Sequence, residues 1–387
     1  MQSEPEVTVV IPCLNEADTL ETCIRKAQQS FADASIQGEI VVADNGSMDG
    51  SPEIALRLGA RVAAISEKGY GHALRGGIQA ARGRFIVMGD ADDSYDFLET
   101  PKFVAKLREG FDLVQGCRLP AGGGRVMPGA MPVTHRYIGN PMFSFMARHM
   151  FSSPIHDIYC GLRGFTKPFY EQLELRCVGM EFATEMIIKA SLQKARIAEV
   201  PITLHPDGRK SHKPHLKTVR DGWRTLRFFL LLSPEWLFFV PGCTLMLLGL
   251  GGYAVALPGL QIGKVTFDAH TLLFASLAVL MGYQSILFAI FAKTFAINEG
   301  ILAEDAKFRE FFRLLNLERG LLLGLVSMLT GLVLLAEALW QWRAADFGRL
   351  DYSHTMRWVI PGVTLAALGF QTILSSFFVS MLGMNRR

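Results

Sequence analysis

The chain has 387 residues, half of them hydrophobic, and a formal net charge of +3. That length calls for more than one domain. The small net charge gives no reason to expect a nucleic-acid partner, and the hydrophobic share exceeds that of an ordinary soluble protein. The six cysteines are far apart and form no C-x-x-C pair, which argues against both a disulfide framework and a zinc site.

In chain order, "VTVVIP" (7–12) reads as a strand and "NEADTLETCIRKAQQ" (15–29) as a helix with Leu20, Cys23, Ile24 and Ala27 on one face. No signal peptide is read ahead of the first strand. "EIVVADNGSMDGS" (39–51) is a strand that runs into a turn and a helix, and "RVAAIS" (61–66) is a third strand. "GYGHALRGGIQAAR" (69–82) is a glycine-broken helix. "FIVMGDADD" opens with a fourth strand, and "DLVQGCR" (112–118) is a fifth. Strands alternating with helices predict βαβ units and a parallel sheet.

Four carboxylates, Asp90, Asp92, Asp93 and Asp96, follow the buried strand Phe85–Met88 within seven residues. Acidic turns are common at surfaces, but ligands of open α/β sheets bind at the carboxyl ends of strands. Two aspartates one residue apart can share a hard cation such as Mg²⁺ or Mn²⁺, which also relieves their repulsion. The first strand adds Pro12, Asn15 and Glu16, and the second adds Asp44, Asn45, Gly46, Ser47 and Asp49. Taken singly, Asn15 reads equally well as a helix cap and 44–47 as a turn. Together they make the layout of a nucleotide site. No G-x-G-x-x-G follows the first strand and no P-loop is present.

From "HPDGRKSHKPHLKTVRDGWRTLR" onward the composition changes. This segment carries seven Lys/Arg against two Asp. In it Leu216, Val219, Leu226 and Leu230 share a helical face and Trp223 suits a headgroup level, which predicts an interfacial helix drawn to anionic lipids. For "YIGNPMFSFMARHMF" (137–151) two readings stay open, a second interfacial helix or a helix buried under the sheet. Four long apolar runs then follow at 236–257, 271–292, 320–342 and 358–384, each long enough to span hydrocarbon as a helix. Lys and Arg gather before the first run, between the second and third, and at the C-terminus. The expected topology is therefore a multi-pass protein with its soluble domain and both termini in the cytoplasm. The expected domains are a catalytic one at 1–204, a basic loop with interfacial helix at 205–234, and four membrane helices at 235–387.

"IPCLNE", "ADNGSMDGS", "KGYGHALRGGIQAARG" and "MGDADDSYDF", in this order, resemble the GT-A domain of glycosyltransferase family 2. "HDIYCGLRGF" (156–165), "GMEFATEM" (179–186) and "EVPITLHPDGRKSHK" narrow the resemblance to the polyprenyl-phosphate glycosyltransferases, the dolichyl-phosphate mannose and glucose synthases. Two positions depart from that pattern. Asp44-Asn45 stands where two aspartates are usual, and Asp93-Ser94 where the acidic motif continues Leu-Gln.

The resemblance implies an α/β GT-A, Rossmann-like nucleotide-diphospho-sugar transferase domain followed by an all-α domain of four transmembrane helices. It implies transfer of one sugar, with inversion, from a UDP- or GDP-linked donor to a polyprenyl phosphate at the cytoplasmic face. Pro12, Asn15, Glu16, Asp44, Lys68, Asp90 and Ala91 would seat the donor, and Asp90 and Asp92 would hold Mg²⁺ or Mn²⁺, or Asp90 would face the ribose and leave Asp92 as the main ligand. Asp93 is open between a third ligand and an exposed carboxylate. A phosphate monoester is already anionic near neutral pH and needs no general base. Instead it calls for cations, for which Arg118, Arg136, Arg163, Arg209 and Lys213 are the candidates; Arg118 and Arg136 are also counted with Asp90 and Asp92 as catalytic. A homo-oligomer is left open. A processive polysaccharide synthase would be expected to show Q-x-x-R-W, which is absent. A non-catalytic relative would be expected to lose the acidic residues or the basic loop, and a transporter to carry ionisable groups inside its spans.

Overall fold

A computed structural model describes residues 4–210, 218–299, 310 and 316–383. The chain divides into two compact units, Met1–Phe229 and Leu230–Arg387.

The first unit is built on a seven-stranded sheet. In chain order its strands are β1 (Val7–Cys13), β2 (Gly38–Asp44), β3 (Arg61–Ala64), β4 (Phe85–Met88), β5 (Leu113–Cys117), β7 (Arg163–Thr166) and β8 (Ile197–Pro201). Their spatial order is β3-β2-β1-β4-β7-β5-β8. A separate two-stranded pairing joins β6 (Arg125–Val126) to β9 (Thr203–Leu204). All seven residues of β1 are buried, as expected of a central strand covered by helices on both faces. Helix α1 (Leu20–Asp33) buries Leu20, Cys23, Ile24 and Ala27, the face its periodicity predicts. Helices α2 (Ser51–Arg57), α3 (Tyr70–Ala80) and α4 (Thr100–Arg108) follow β2, β3 and β4.

The parallel sheet expected from the sequence needs one correction. β7 runs antiparallel to both of its neighbours, β4 and β5, and separates them. The reason is where the chain enters. Arg163, the first residue of β7, pairs with Met88, the last of β4. The connection from α5 (Asn140–Phe151) therefore arrives at the carboxyl edge of the sheet, and β7 can only run back down it.

Helix α5 combines the two readings left open for 137–151. It buries Asn140, Phe143, Ser144, Ala147 and Phe151. Tyr137, Ile138, Met142 and Phe145 are exposed, at 65, 63, 45 and 52%. After helices α6 (Lys167–Leu173) and α7 (Glu181–Leu192) comes α8 (Thr218–Leu232), where the sequence predicts a helix. It seats on Thr225 and Phe229 rather than on Leu226 and Leu230. The Phe229 ring meets Phe143 and Phe151 edge-on at 5.9 and 5.5 Å, which fixes the helix rotation. Leu216 and the side chain of Val219 lie outside the described residues.

Among the described residues the second unit has four helices long and apolar enough to cross a membrane: Glu235–Ala256, Ala269–Asn298, Leu317–Ala344 and Tyr352–Gly383. In the order given, the second helix packs on the first and the fourth, and the fourth packs on the third. Glycines let backbones touch: a Cβ at Gly331 would lie 2.5 Å from the Gly362 carbonyl oxygen, and one at Gly369 would lie 2.5 Å from that of Gly324. Hydroxyls bond across the helices, Tyr253 to Thr364 at 2.8 Å and Tyr283 to Thr372 at 2.6 Å. The fourth helix begins before the apolar run read from the sequence and carries Pro361 inside it.

Candidate active site

β1, β2 and β4 are parallel, so their carboxyl ends lie together at one edge of the sheet. The chain turns away from each end through residues that need unusual backbone or side-chain partners. Asn15 takes φ 60°, a conformation asparagine tolerates better than most residues. Its N–H donates to Ser47 Oγ at 2.9 Å, and its Oδ1 accepts from Met48 N at 2.8 Å. Asp44, 7% exposed, caps its own turn by accepting from Gly46 N at 3.0 Å and Ser47 N at 3.2 Å.

Asn45 explains one departure from the family pattern. Its Nδ2 donates to the carbonyls of Ile65 (3.1 Å) and Glu67 (2.7 Å), while its Oδ1 accepts from Gly69 N at 2.8 Å. An aspartate could not donate to two carbonyls. Lys68, held in the same staple, donates its Nζ to the Asn45 carbonyl at 2.6 Å. The staple fixes the start of α3, where Gly71 is packed so tightly that a Cβ would lie 2.7 Å from Val178 C. Between the two glycines, Tyr70 donates its hydroxyl to Asp90 Oδ1 at 2.8 Å. Tyr70 was not among the sequence candidates, and the flanking glycines in "KGYGHAL" are the only signal for it.

Asp90 and Asp92 stand beyond the end of β4. Burial and the neighbouring Asp92 carboxylate push Asp90 up to about 6, against the hydrogen bond from Tyr70 and the charges of Arg209 and Arg118. Its Oδ2 lies 2.8 Å from where a Cβ of Gly161 would stand, so that position excludes a side chain. Asp92 accepts at Oδ1 from Ser94 N (3.0 Å) and Ser94 Oγ (2.6 Å). Its Oδ2 accepts from Arg209 Nη2 at 2.9 Å. Asp93 and Asp96 instead face Lys26, at 2.8 and 3.7 Å. That pairing accounts for Asp93 without a ligand role.

Arg209 was expected at an acceptor phosphate. Here its guanidinium lies among three carboxylates: Nη1 donates to Glu16 Oε1 at 3.1 Å, Nη2 to Asp92, and Nε and Nη2 to Asp207 at 2.9 and 2.7 Å. Burial works against its charge, but Asp207, Asp92 and Glu16 outweigh that and keep it firmly protonated. One guanidinium thus faces a group of carboxylates that also includes Asp90. The surplus negative charge and the all-oxygen donors fit a hard divalent cation at Asp90 and Asp92, provided Arg209 gives up Asp92.

Two of the arginines expected at an acceptor phosphate are buried. Arg118 is 7% exposed and spends its fork on Asp157, itself fully buried: Nε donates to Oδ2 at 2.7 Å and Nη2 to Oδ1 at 2.8 Å, while Nη1 donates to the Tyr95 hydroxyl at 3.2 Å. Arg163 is fully buried and donates to the carbonyls of Cys160 and Ala183, both at 2.6 Å. Both guanidiniums are held by groups of the protein itself. Arg136 is half-buried on a π-helical turn, His135–Gly139, with its guanidinium 5.3 Å from the Tyr137 ring. Lys213 lies outside the described residues. Pro12 and Ala91 are buried, Pro12 paired with Ala43 across β1 and β2. Cavities of about 630 and 410 Å³ lie elsewhere, lined by residues such as Glu6, Arg84 and Lys167 or Arg75, Tyr170 and Leu175.

The sequence matches the Glycosyl transferase family 2 over 8–174 and the Glycosyltransferase family 2 C-terminal transmembrane region over 290–383. It is 35% identical over 380 residues to a low-salt glycan biosynthesis hexosyltransferase of Haloferax volcanii, covering 98% of this chain and 89% of that one. It is 32% identical over 166 residues to a dolichyl-phosphate hexose transferase of the same organism, covering 43% of this chain and 69% of that one. Among solved structures, a glucosyl-3-phosphoglycerate synthase from Mycobacterium tuberculosis is similar at a TM-score of 0.45 and 22% identity, over 59% of this chain and 79% of that one.

Proposed function

Because the chain belongs to glycosyltransferase family 2 and is a membrane protein, we propose that it transfers one hexose from a nucleoside-diphosphate sugar to a polyprenyl phosphate at the cytoplasmic face of the membrane. The observation that carries the reading is the cluster of Glu16, Asp44, Asp90 and Asp92 at the ends of three parallel strands, on a chain that also carries four membrane-length helices. The relatives named as a hexosyltransferase and a dolichyl-phosphate hexose transferase support the sugar and the lipid acceptor.

In this reading Asp44 and Glu16 receive the nucleoside and Lys68 lies beside it. Asp90 and Asp92 would hold Mg²⁺ or Mn²⁺, which supplies charge neutralisation for the departing diphosphate. A lipid phosphate oxygen attacks the anomeric carbon from the face opposite the departing diphosphate. The bond from that carbon to the diphosphate breaks with its electron pair, and the configuration inverts. No proton moves, because the acceptor is already anionic. Arg136 and Arg209 offset the repulsion between the two anions. The exposed apolar row of Tyr137, Ile138, Met142 and Phe145 and the basic exposed side of α8 suit a lipid surface.

The experiment is transfer of labelled sugar to a short polyprenyl phosphate by the purified full chain. Asp92→Asn and EDTA should each abolish product, EDTA reversibly on adding Mg²⁺ or Mn²⁺. Full activity in EDTA would remove the cation from the reading.

A further inference from the structure

We propose that Arg209 is a built-in competitor for the divalent cation: it occupies Asp92 in the nucleotide-free enzyme and must give that carboxylate up before a cation can bind. The inference rests on Asp92 being a cation ligand, as read under Proposed function.

Both Asp92 oxygens are engaged. The Ser94 bonds to Oδ1 come from two residues along the chain and can persist beside a cation. The Oδ2 partner is Arg209, 117 residues away, and it carries positive charge into the space a cation needs. The two cannot share that oxygen at contact distance without strong repulsion. The guanidinium side chain is only 10% exposed, so its ion pairs are poorly screened.

The arrangement is also built to let go of Asp92. Asp207 lies in the same turn and binds Arg209 at Nε, at Nη2 and through the backbone N–H. The Gly208 N–H donates to the Asp92 carbonyl at 2.9 Å, a contact that does not involve the carboxylate. Trading Asp92 and Glu16 for a phosphate therefore leaves the arginine tethered beside the site and still neutralised on one side. Cation entry and the freeing of a phosphate-binding fork become one event.

The test is Mn²⁺ binding to the full chain in detergent, followed by electron paramagnetic resonance of the free ion, with no sugar nucleotide and no lipid. A competitor lowers apparent affinity by the fraction of time it leaves the site open. Arg209→Gln should therefore tighten Mn²⁺ by on the order of tenfold, given a charge-assisted bond of ordinary strength. Arg209→Lys keeps the charge but loses the fork, and should recover much of that gain. Asp207→Asn leaves the cation ligands in place but removes the carboxylate that neutralises the guanidinium when it leaves Asp92, so it should weaken Mn²⁺ binding; tighter binding would overturn the proposal. It also serves if the arginine variants fail to fold.

Unchanged or weaker Mn²⁺ binding in Arg209→Gln overturns the proposal. Wild-type affinity in Arg209→Lys also overturns it, because the effect would then be a general field of positive charge. Since neither substrate is present, failure here leaves the transferase reading standing. Absence of lipid product from wild type would sink that reading without touching this one.

Discussion

Replacing Asp157 with asparagine separates a structural arginine from a catalytic one. The carboxylate accepts from Arg118 Nε at 2.7 Å, from Nη2 at 2.8 Å and from the Arg118 backbone N–H at 3.0 Å. It is itself placed by Glu199, which accepts from the N–H groups of His156 (2.7 Å) and Asp157 (3.1 Å). Neither partner has appreciable exposure. Asparagine keeps the shape, removes the charge and turns an NH₂ toward a guanidinium that has no other carboxylate bonded to it among the described residues. Leaving a buried charge uncompensated costs about 3–5 kcal/mol. For a unit of this size that corresponds to a fall of about 6–20 °C in melting temperature, at about 2–4 °C per kcal/mol. The assay is thermal unfolding of the full chain in detergent by circular dichroism. Arg118→Met combined with Asp157→Leu should recover part of the loss, because it removes both charges. A melting temperature within about 2 °C of wild type, with transfer abolished, would refute the reasoning and return Arg118 to the substrate.

Asp44→Ala should weaken donor binding, measured by calorimetry with Mn²⁺ and no lipid, by on the order of tenfold to a hundredfold; unchanged affinity with lower stability would reduce Asp44 to a turn cap. For Glu185, burial raises the pKa, but the N–H groups of Cys177 and Arg176 and the Lys189 ammonium outweigh it and hold the carboxyl below its usual value. A depressed folded-state pKa gives stability that is present above the unfolded value of about 4.3 and lost as pH falls through the folded one. Glu185→Gln should therefore be less stable than wild type at neutral pH, and the gap should close in acid; a gap independent of pH would assign the loss to packing. A reporter fused after Arg387 should be cytoplasmic, and a tag between Gly259 and His270 should be reachable only from the opposite side; a C-terminal reporter on that opposite side would mean an odd number of spans.

The strands whose carboxyl ends carry the acidic cluster were legible because each is a short apolar run that ends in turn chemistry, a local signal. The face of α1 was legible for the same reason. β7 was not, because "RGFT" is four residues long and opens with an arginine, which reads as a ligand rather than as a core strand. The burial of Arg118 and Arg163 was not legible because the sequence does not reveal their partners. Asp157 is 39 residues from Arg118, and Arg163 bonds only carbonyls. Arg209 was flagged for its charge, yet its contacts with Asp92 and Glu16 cross 117 and 193 residues. For α8, hydrophobic periodicity favoured Leu226 and Leu230, while the aromatic pocket of Phe143 and Phe151 selected Phe229.

The central claim is that one sugar passes from a nucleotide to a lipid phosphate. It is tested most directly by incubating the purified full chain with UDP- and GDP-linked hexoses in turn, a short polyprenyl phosphate and Mn²⁺, and weighing the lipid products by mass spectrometry. The expected result is one donor giving a polyprenyl phosphate heavier by a single hexose, with none from Asp92→Asn. A ladder of added sugars, or no glycosylated lipid from any donor, would contradict it.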